Sequence, residues 1–177
     1  MHIPMGKIMC DYPKLITCMA PTKTFNLAGL AFSNIIIRDP QLRETYRRRD
    51  MCFGMVNTLS LEAAKAAYDL GDPWHRELRV FLDGSFAYVK EFLREYLPAA
   101  VMNISEATYL AWINMADSLP KVQDLPGFFA TQAGVLLEGG NGLFVGNADG
   151  YIRLNLAMPR SMIRTGMERI RDAIYNF

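Results

Sequence analysis

The stretch Ala20-Pro21-Thr22-Lys23-Thr24-Phe25-Asn26 decides the fold. Before it, Leu15 to Met19 is apolar and β-branched, the make-up of a buried strand that Pro21 ends. After it, Leu27, Ala28 and Leu30 turn the chain apolar again. One lysine, Lys23, therefore falls at the polar tip that closes a core strand. In α/β proteins such strand ends open into the crevices where ligands bind. The competing reading is a solvated surface lysine, the commonest fate of that residue type.

Outward from this tip the pattern alternates. Residues 25–30 read as a short helical turn, and Phe32 to Ile37 as a second buried strand closed by Asp39-Pro40. Pro40 to about Asp50 is a charged helix with Leu42 and Tyr46 as its apolar stripe. A helix opens at Ser60-Leu61-Glu62, runs through Ala63, Ala64, Ala66 and Ala67, and stops at Gly71. Asp72 then caps a helix with Pro73 in its first turn. This helix, Pro73 to Leu97, is the longest in the chain. Its apolar residues Trp74, Leu78, Phe81, Leu82, Phe86, Val89, Phe92, Leu93 and Tyr96 recur at three and four residues, which predicts one broad buried stripe interrupted at Gly84 and Ser85. A domain boundary is expected near Gly84, giving units of residues 1–83 and 84–177.

Past Pro98 the chain reads as a small α/β unit. Ala99 to Asn103, Tyr109 to Met115 and Val135 to Leu137 are strand-like, Pro120 to Pro126 is a loop, and Gly127 to Gln132 opens a helical turn. Gly139, Gly140, Gly142, Gly146 and Gly150 form a flexible loop. A phosphate cradle needs a helix N-terminus directly behind the glycines, and here a strand follows, so the segment reads as a connection beside a substrate pocket. In that strand, Tyr151 to Leu156, alternation puts Tyr151, Arg153 and Asn155 on one face and Ile152, Leu154 and Leu156 on the other. An arginine between apolar neighbours needs a partner, either an internal Asp or Glu or the anion of a ligand. Arg160, after Pro159 at a helix start, reads as structural.

Composition narrows the classes. The chain has 177 residues, 51% of them hydrophobic and 21% charged, enough for one domain or a domain with a subdomain. Its formal net charge of +1 argues against a nucleic-acid partner. Arg47, Arg48 and Arg49 are consecutive, point around a helix rather than along one face, and read as a solvated helix end. Cys10, Cys18 and Cys52 are an odd, irregularly spaced set that suits a reducing cytoplasm. With only His2 and His75 beside them, no metal site is expected. Neither a secretion leader nor a bilayer-length apolar run is legible, so a soluble intracellular protein with no membrane partner is expected.

The run Ile16 to Leu30, containing Ala20-Pro21-Thr22-Lys23, resembles the cofactor-lysine segment of fold-type I pyridoxal-phosphate enzymes, and among them the aminotransferase-like cystathionine β-lyases, or C–S lyases. Tyr151-Ile152-Arg153-Leu154-Asn155-Leu156-Ala157-Met158-Pro159-Arg160-Ser161 is similar to that group's carboxylate-binding strand and the start of its last helix. Glu62 to Tyr68 and Ala107-Thr108-Tyr109-Leu110-Ala111-Trp112 resemble the group as well, in the same order. The likeness spans nearly the whole chain, while family members carry a long additional N-terminal part.

The resemblance implies an α/β fold made of the end of the large cofactor domain, a long connecting helix and the small C-terminal domain. It implies pyridoxal 5'-phosphate as cofactor, an amino acid as substrate and a homodimer. Lys23 becomes the catalytic residue, joined to the cofactor by a Schiff base and, once displaced, the base for the Cα proton; Thr22 becomes a phosphate contact, and Arg153 the clamp on the substrate carboxylate. The base role requires a lysine pKa well below the free value of about 10.4. A leaving group on Cβ gives β-elimination, and without one the same chemistry gives transamination. Many aminotransferases of this fold hold the phosphate with a serine three residues before the lysine and an arginine eight after it; Ala20 and Ala31 stand there instead. The aspartate for the pyridine nitrogen and the ring-stacking aromatic belong to the part before Met1, so weak cofactor binding is expected of these residues alone. A non-catalytic interaction module derived from such an enzyme is the alternative of another class.

Overall fold

The computed structural model describes residues 3–49 and 56–177. Its elements run α1 (Met5–Ile8), β1 (Ile16–Met19), a 3-10 turn (Ala28–Leu30), β2 (Asn34–Ile37), α2 (Pro40–Arg49), α3 (Thr58–Leu70), α4 (Asp72–Tyr96), β3 (Val101–Met102), β4 (Leu110–Asn114), α5 (Leu125–Phe128), a π turn (Phe129–Ala133), β5 (Glu138–Gly139), α6 (Gly140–Leu143), β6 (Tyr151–Asn155) and α7 (Arg160–Tyr175). They form two compact units, one up to Leu78 and one from Arg79 onward, with α4 running through the point of division.

In the first unit β1 and β2 pair antiparallel, Ile16 opposite Ile37 and Met19 opposite Asn34. Both were expected to be buried strands. Ile37 is buried, but Ile16, Met19, Ile35 and Ile36 are exposed, because among the described residues the two strands have no third neighbour to extend the sheet. Helix α3 starts at Thr58, two residues before the expected start, where Asn57 as cap accepts a hydrogen bond from the Leu59 amide at 2.9 Å. Ser60 is buried and donates to the Leu30 carbonyl at 2.7 Å, fastening the helix to the segment that follows the Lys23 turn. Asp50 and Cys52 lie outside the described residues.

The second unit holds the core. A four-stranded antiparallel sheet in the order β3-β4-β6-β5 turns Ala111, Ile113 and Ile152 inward against Phe86, Val89, Phe92 and Leu93 of α4 and Ile163, Met167 and Ile170 of α7. The broad stripe expected along all of α4 is fully buried only in its C-terminal half; Trp74 and Phe81 are exposed, and the first turns meet the Phe25 ring rather than a core layer. Gly84 and Ser85 do not interrupt the helix. The Ser85 hydroxyl, wholly buried, donates to the Phe81 carbonyl one turn back at 3.0 Å, the bond that lets serine sit inside a helix.

The strand expected at 135–137 is displaced to Glu138 and Gly139, the residues that pair with Arg153 and Ile152. The glycine loop contains the short helix α6 before the chain reaches β6, so its backbone is more ordered than a flexible connection. Gly150, immediately before β6, has φ +75°, and a Cβ there would lie 2.7 Å from the Ala116 Cβ. Its carbonyl accepts from the Met115 amide at 2.7 Å, joining it to the end of β4. Gly150→Ala combines left-handed strain with a clash and is expected to cost roughly 1–3 kcal/mol, read as a lower urea midpoint at unchanged slope.

Candidate functional site

Lys23 sits on a turn whose shape is set by its neighbours. Pro21 is fully buried and stops β1 pairing beyond Met19. Its carbonyl accepts from the Phe25 amide at 3.0 Å, and the Thr22 carbonyl accepts from the Leu27 amide at 2.8 Å. Asn26 takes the left-handed φ of 55° that asparagine tolerates better than most side chains. Phe25 anchors the far side: its ring lies 6.2 Å from Tyr68, 6.1 Å from Trp74 and 6.0 Å from His75. A Cβ on Gly71 would be 2.4 Å from the Phe25 ring, so the bare backbone there is what admits it.

With Pro21 and Phe25 held, the tip between them is presented outward. Lys23 is exposed and Thr22 half-buried, and neither side chain has a hydrogen bond or ion pair with the described residues. A primary amine and a hydroxyl on one short, anchored turn suit a carbonyl compound that also carries an anionic group. Ala31, eight residues past the lysine, has φ 47° and offers no side-chain donor.

Arg153 lies in the second unit, on the outer face of β6. Alternation holds in part: Ile152 and Leu156 are buried and Asn155 is exposed, while Tyr151, Arg153 and also Leu154 are half-buried. The arginine finds an acidic partner in Glu138, directly opposite it in the register with β5; Nε and Nη2 both donate to Glu138 Oε2. Trp112 is opposite Arg153 on its other side, in β4. The Trp112 ring stacks on Tyr151 at 5.1 Å and 15°, and meets Phe144 edge-on at 4.6 Å. The Arg153 guanidinium lies 5.8 Å from the Phe144 centroid. A cleft of about 370 Å³ runs past Glu138 and Tyr151, with Asp124, Pro126, Gly140 and Ala148 among its walls.

Glu138, Trp112 and Phe144 were not picked out from the sequence. Glu138 precedes a glycine cluster and has no periodic signal of its own; only its register against β6 identifies it. Arg160 has a structural role, as expected. Its guanidinium donates to the Gly84 carbonyl at 2.8 Å and the Ser85 hydroxyl at 3.2 Å, and lies 5.6 Å from both the Phe81 and Tyr88 rings. Among the described residues no group of His, Cys, Asp or Glu could hold a metal ion, and no helix is long and apolar enough to cross a membrane. Cys10 and Cys18 are free and exposed.

No protein-family model matches the chain. Cystathionine beta-lyase PatB of Bacillus subtilis (strain 168) is 31% identical over 176 residues, which is 98% of this chain and 45% of the relative. The solved structure of the pyridoxal-phosphate-bound C–S lyase from Staphylococcus hominis, with L-cycloserine, is 41% identical with a TM-score of 0.92 over 99% of this chain and 45% of that one. A pyridoxal-phosphate-bound putative aminotransferase from Clostridium difficile 630 is 34% identical, TM-score 0.87, over 98% of this chain and 45% of that one. The chain thus spans less than half the length of these relatives.

Proposed function

We propose that this chain, which corresponds to the C-terminal portion of the fold-type I pyridoxal-phosphate enzymes in the group of the cystathionine β-lyases and C–S lyases, supplies the cofactor lysine and the substrate clamp of a lyase that cleaves a carbon–sulfur bond in an amino acid. The observation that carries it is the anchored Ala20-Pro21-Thr22-Lys23 turn, whose amine is unengaged at the end of β1.

Bound pyridoxal phosphate supplies an aldehyde that captures amines and a ring that stores the electrons of a deprotonated Cα. The residues present fit it: Lys23 offers the amine and Thr22, beside it, a hydroxyl for the phosphate. Lys23 Nζ then accepts the Cα proton of the substrate and can return one. Arg153 holds the substrate carboxylate through two N–H groups of a planar, permanently charged fork. Where Cβ carries sulfur, the electron pair left at Cα by the proton transfer forms a Cα–Cβ double bond as the Cβ–S bond breaks, and the thiolate leaves with its bonding pair. An aminotransferase is the second reading, favoured by the 34% identity to the Clostridium difficile protein.

We further infer a cytoplasmic homodimer. The free, exposed cysteines support the compartment, and the exposed Ile16, Met19, Ile35 and Ile36 support association. Sedimentation velocity is expected to give a species larger than one 20.0 kDa chain; a monomer at high concentration overturns the association.

Arg153→Lys tests the clamp. A point charge replaces a two-pronged donor, so KM for the amino acid is expected to rise and kcat to fall in an enzyme carrying this chain, together by about ten-fold or more in kcat/KM. Unchanged kinetics would return Arg153 to a purely structural pairing with Glu138.

A further inference from the structure

We infer that Glu138 is the positioning residue for Arg153, holding the guanidinium by its side edge so that its outer edge is aimed at a carboxylate. This rests on the reading of Arg153 as the carboxylate clamp and names the group that orients it. A single oxygen of Glu138, Oε2, takes both Nε and Nη2, the pair of donors along the side of the guanidinium. The outer edge, built from Nη1 and the second N–H of Nη2, is not engaged by Glu138 and is the edge that binds a carboxylate in the bidentate manner.

The backbone around Glu138 is set by close approaches rather than by its own side chain. A Cβ on Gly139 would lie 2.6 Å from the Pro126 Cγ, and one on Gly140 would lie 1.9 Å from the Ala148 carbonyl oxygen. Two bare residues thus let β5 settle against its neighbours, with Glu138 in direct register with Arg153. Phe144 lies on another side of the guanidinium at 5.8 Å. Without Glu138, Arg153 keeps its charge but regains the rotamer freedom of a long side chain, which then has to be lost again on binding. Glu138 also repels an incoming anion, so charge and orientation pull in opposite directions. The two are separable because glutamine keeps an acceptor oxygen and drops the charge.

The test uses the 177-residue chain, labelled with nitrogen-15, with L-alanine as the probe and the Arg153 Nε–H resonance as the reporter. Glu138 is about half exposed, so its replacement leaves the core intact. Glu138→Ala is expected to shift the free Arg153 resonance and raise the half-saturating L-alanine concentration about five-fold, the upper end of what a partly exposed ion pair contributes. Glu138→Gln is expected to restore binding to within about two-fold of the parent, since the acceptor is back. Tighter or unchanged binding in Glu138→Ala, or a glutamine variant as weak as the alanine one, overturns the positioning role while leaving Arg153 as the clamp. An Arg153 resonance that L-alanine never moves, in parent or variants, overturns the clamp reading itself and the positioning role with it.

Discussion

Lys23→Ala is expected to abolish turnover in an enzyme of the relatives' length that carries this chain as its C-terminal portion, and to remove the visible absorbance of lysine-bound cofactor. Both effects have one origin. The Lys23 amine has no hydrogen bond or ion pair with the described residues, so nothing in the fold depends on it, and Pro21 and Phe25 fix the turn without it. The alanine variant should therefore keep the melting temperature of the parent while kcat falls by several orders of magnitude, as expected when a group that serves as covalent anchor and base is lost. Retained turnover with retained absorbance would move the chemistry to another lysine. A large fall in melting temperature would instead show that Lys23 is a structural residue.

Phe129→Ala is the second large effect, and it falls on stability. Phe129 is wholly buried where α5 gives way to the π turn, its carbonyl accepts from the Val135 amide at 3.1 Å, and its ring meets Phe128 edge-on at 5.2 Å. Removing the ring leaves a cavity in the buried cluster that it shares with residues such as Met167 and Ile170 of α7, for a loss of about 3–5 kcal/mol. Urea unfolding of the second unit is expected to show a much lower midpoint with little change in slope. A loss below 1 kcal/mol would mean that the core closes over the vacancy, as it does at poorly packed sites.

The Lys23 turn could be read directly, since a proline after an apolar run and a polar triplet behind it leave few conformations open. The length of α4 was equally legible, expected from Pro73 to Leu97 and found at Asp72–Tyr96, because 25 residues of helical periodicity outweigh any local ambiguity. Its burial was not. Trp74 and Phe81 carry the same periodic signal as Phe86 and Phe92, and periodicity cannot say whether another layer exists to cover them. The same limit applies to β1 and β2, whose apolar side chains fit a core strand but lie open here. The strand expected at Val135 to Leu137 begins three residues before the observed β5, because that segment has the stronger β composition. Pairing follows the register available on β6, and Glu138 and Gly139 are the residues opposite it. The Glu138–Arg153 pair is a product of that register, and nothing local to Glu138 announces it.

The two-stranded ribbon of β1 and β2 also sets a clock. Four residues in each strand, open on their outer edges and with Ile37 alone buried, give their amides few of the contacts that make opening costly. Deuterium should therefore enter Ile16 to Met19 within seconds to minutes, while Ala111, Ile113 and Ile152 wait for the second unit to unfold as a whole. The residues before Lys23 therefore open well before the sheet of the second unit does, so the turn that presents this lysine is tied to a ribbon that loses its order easily.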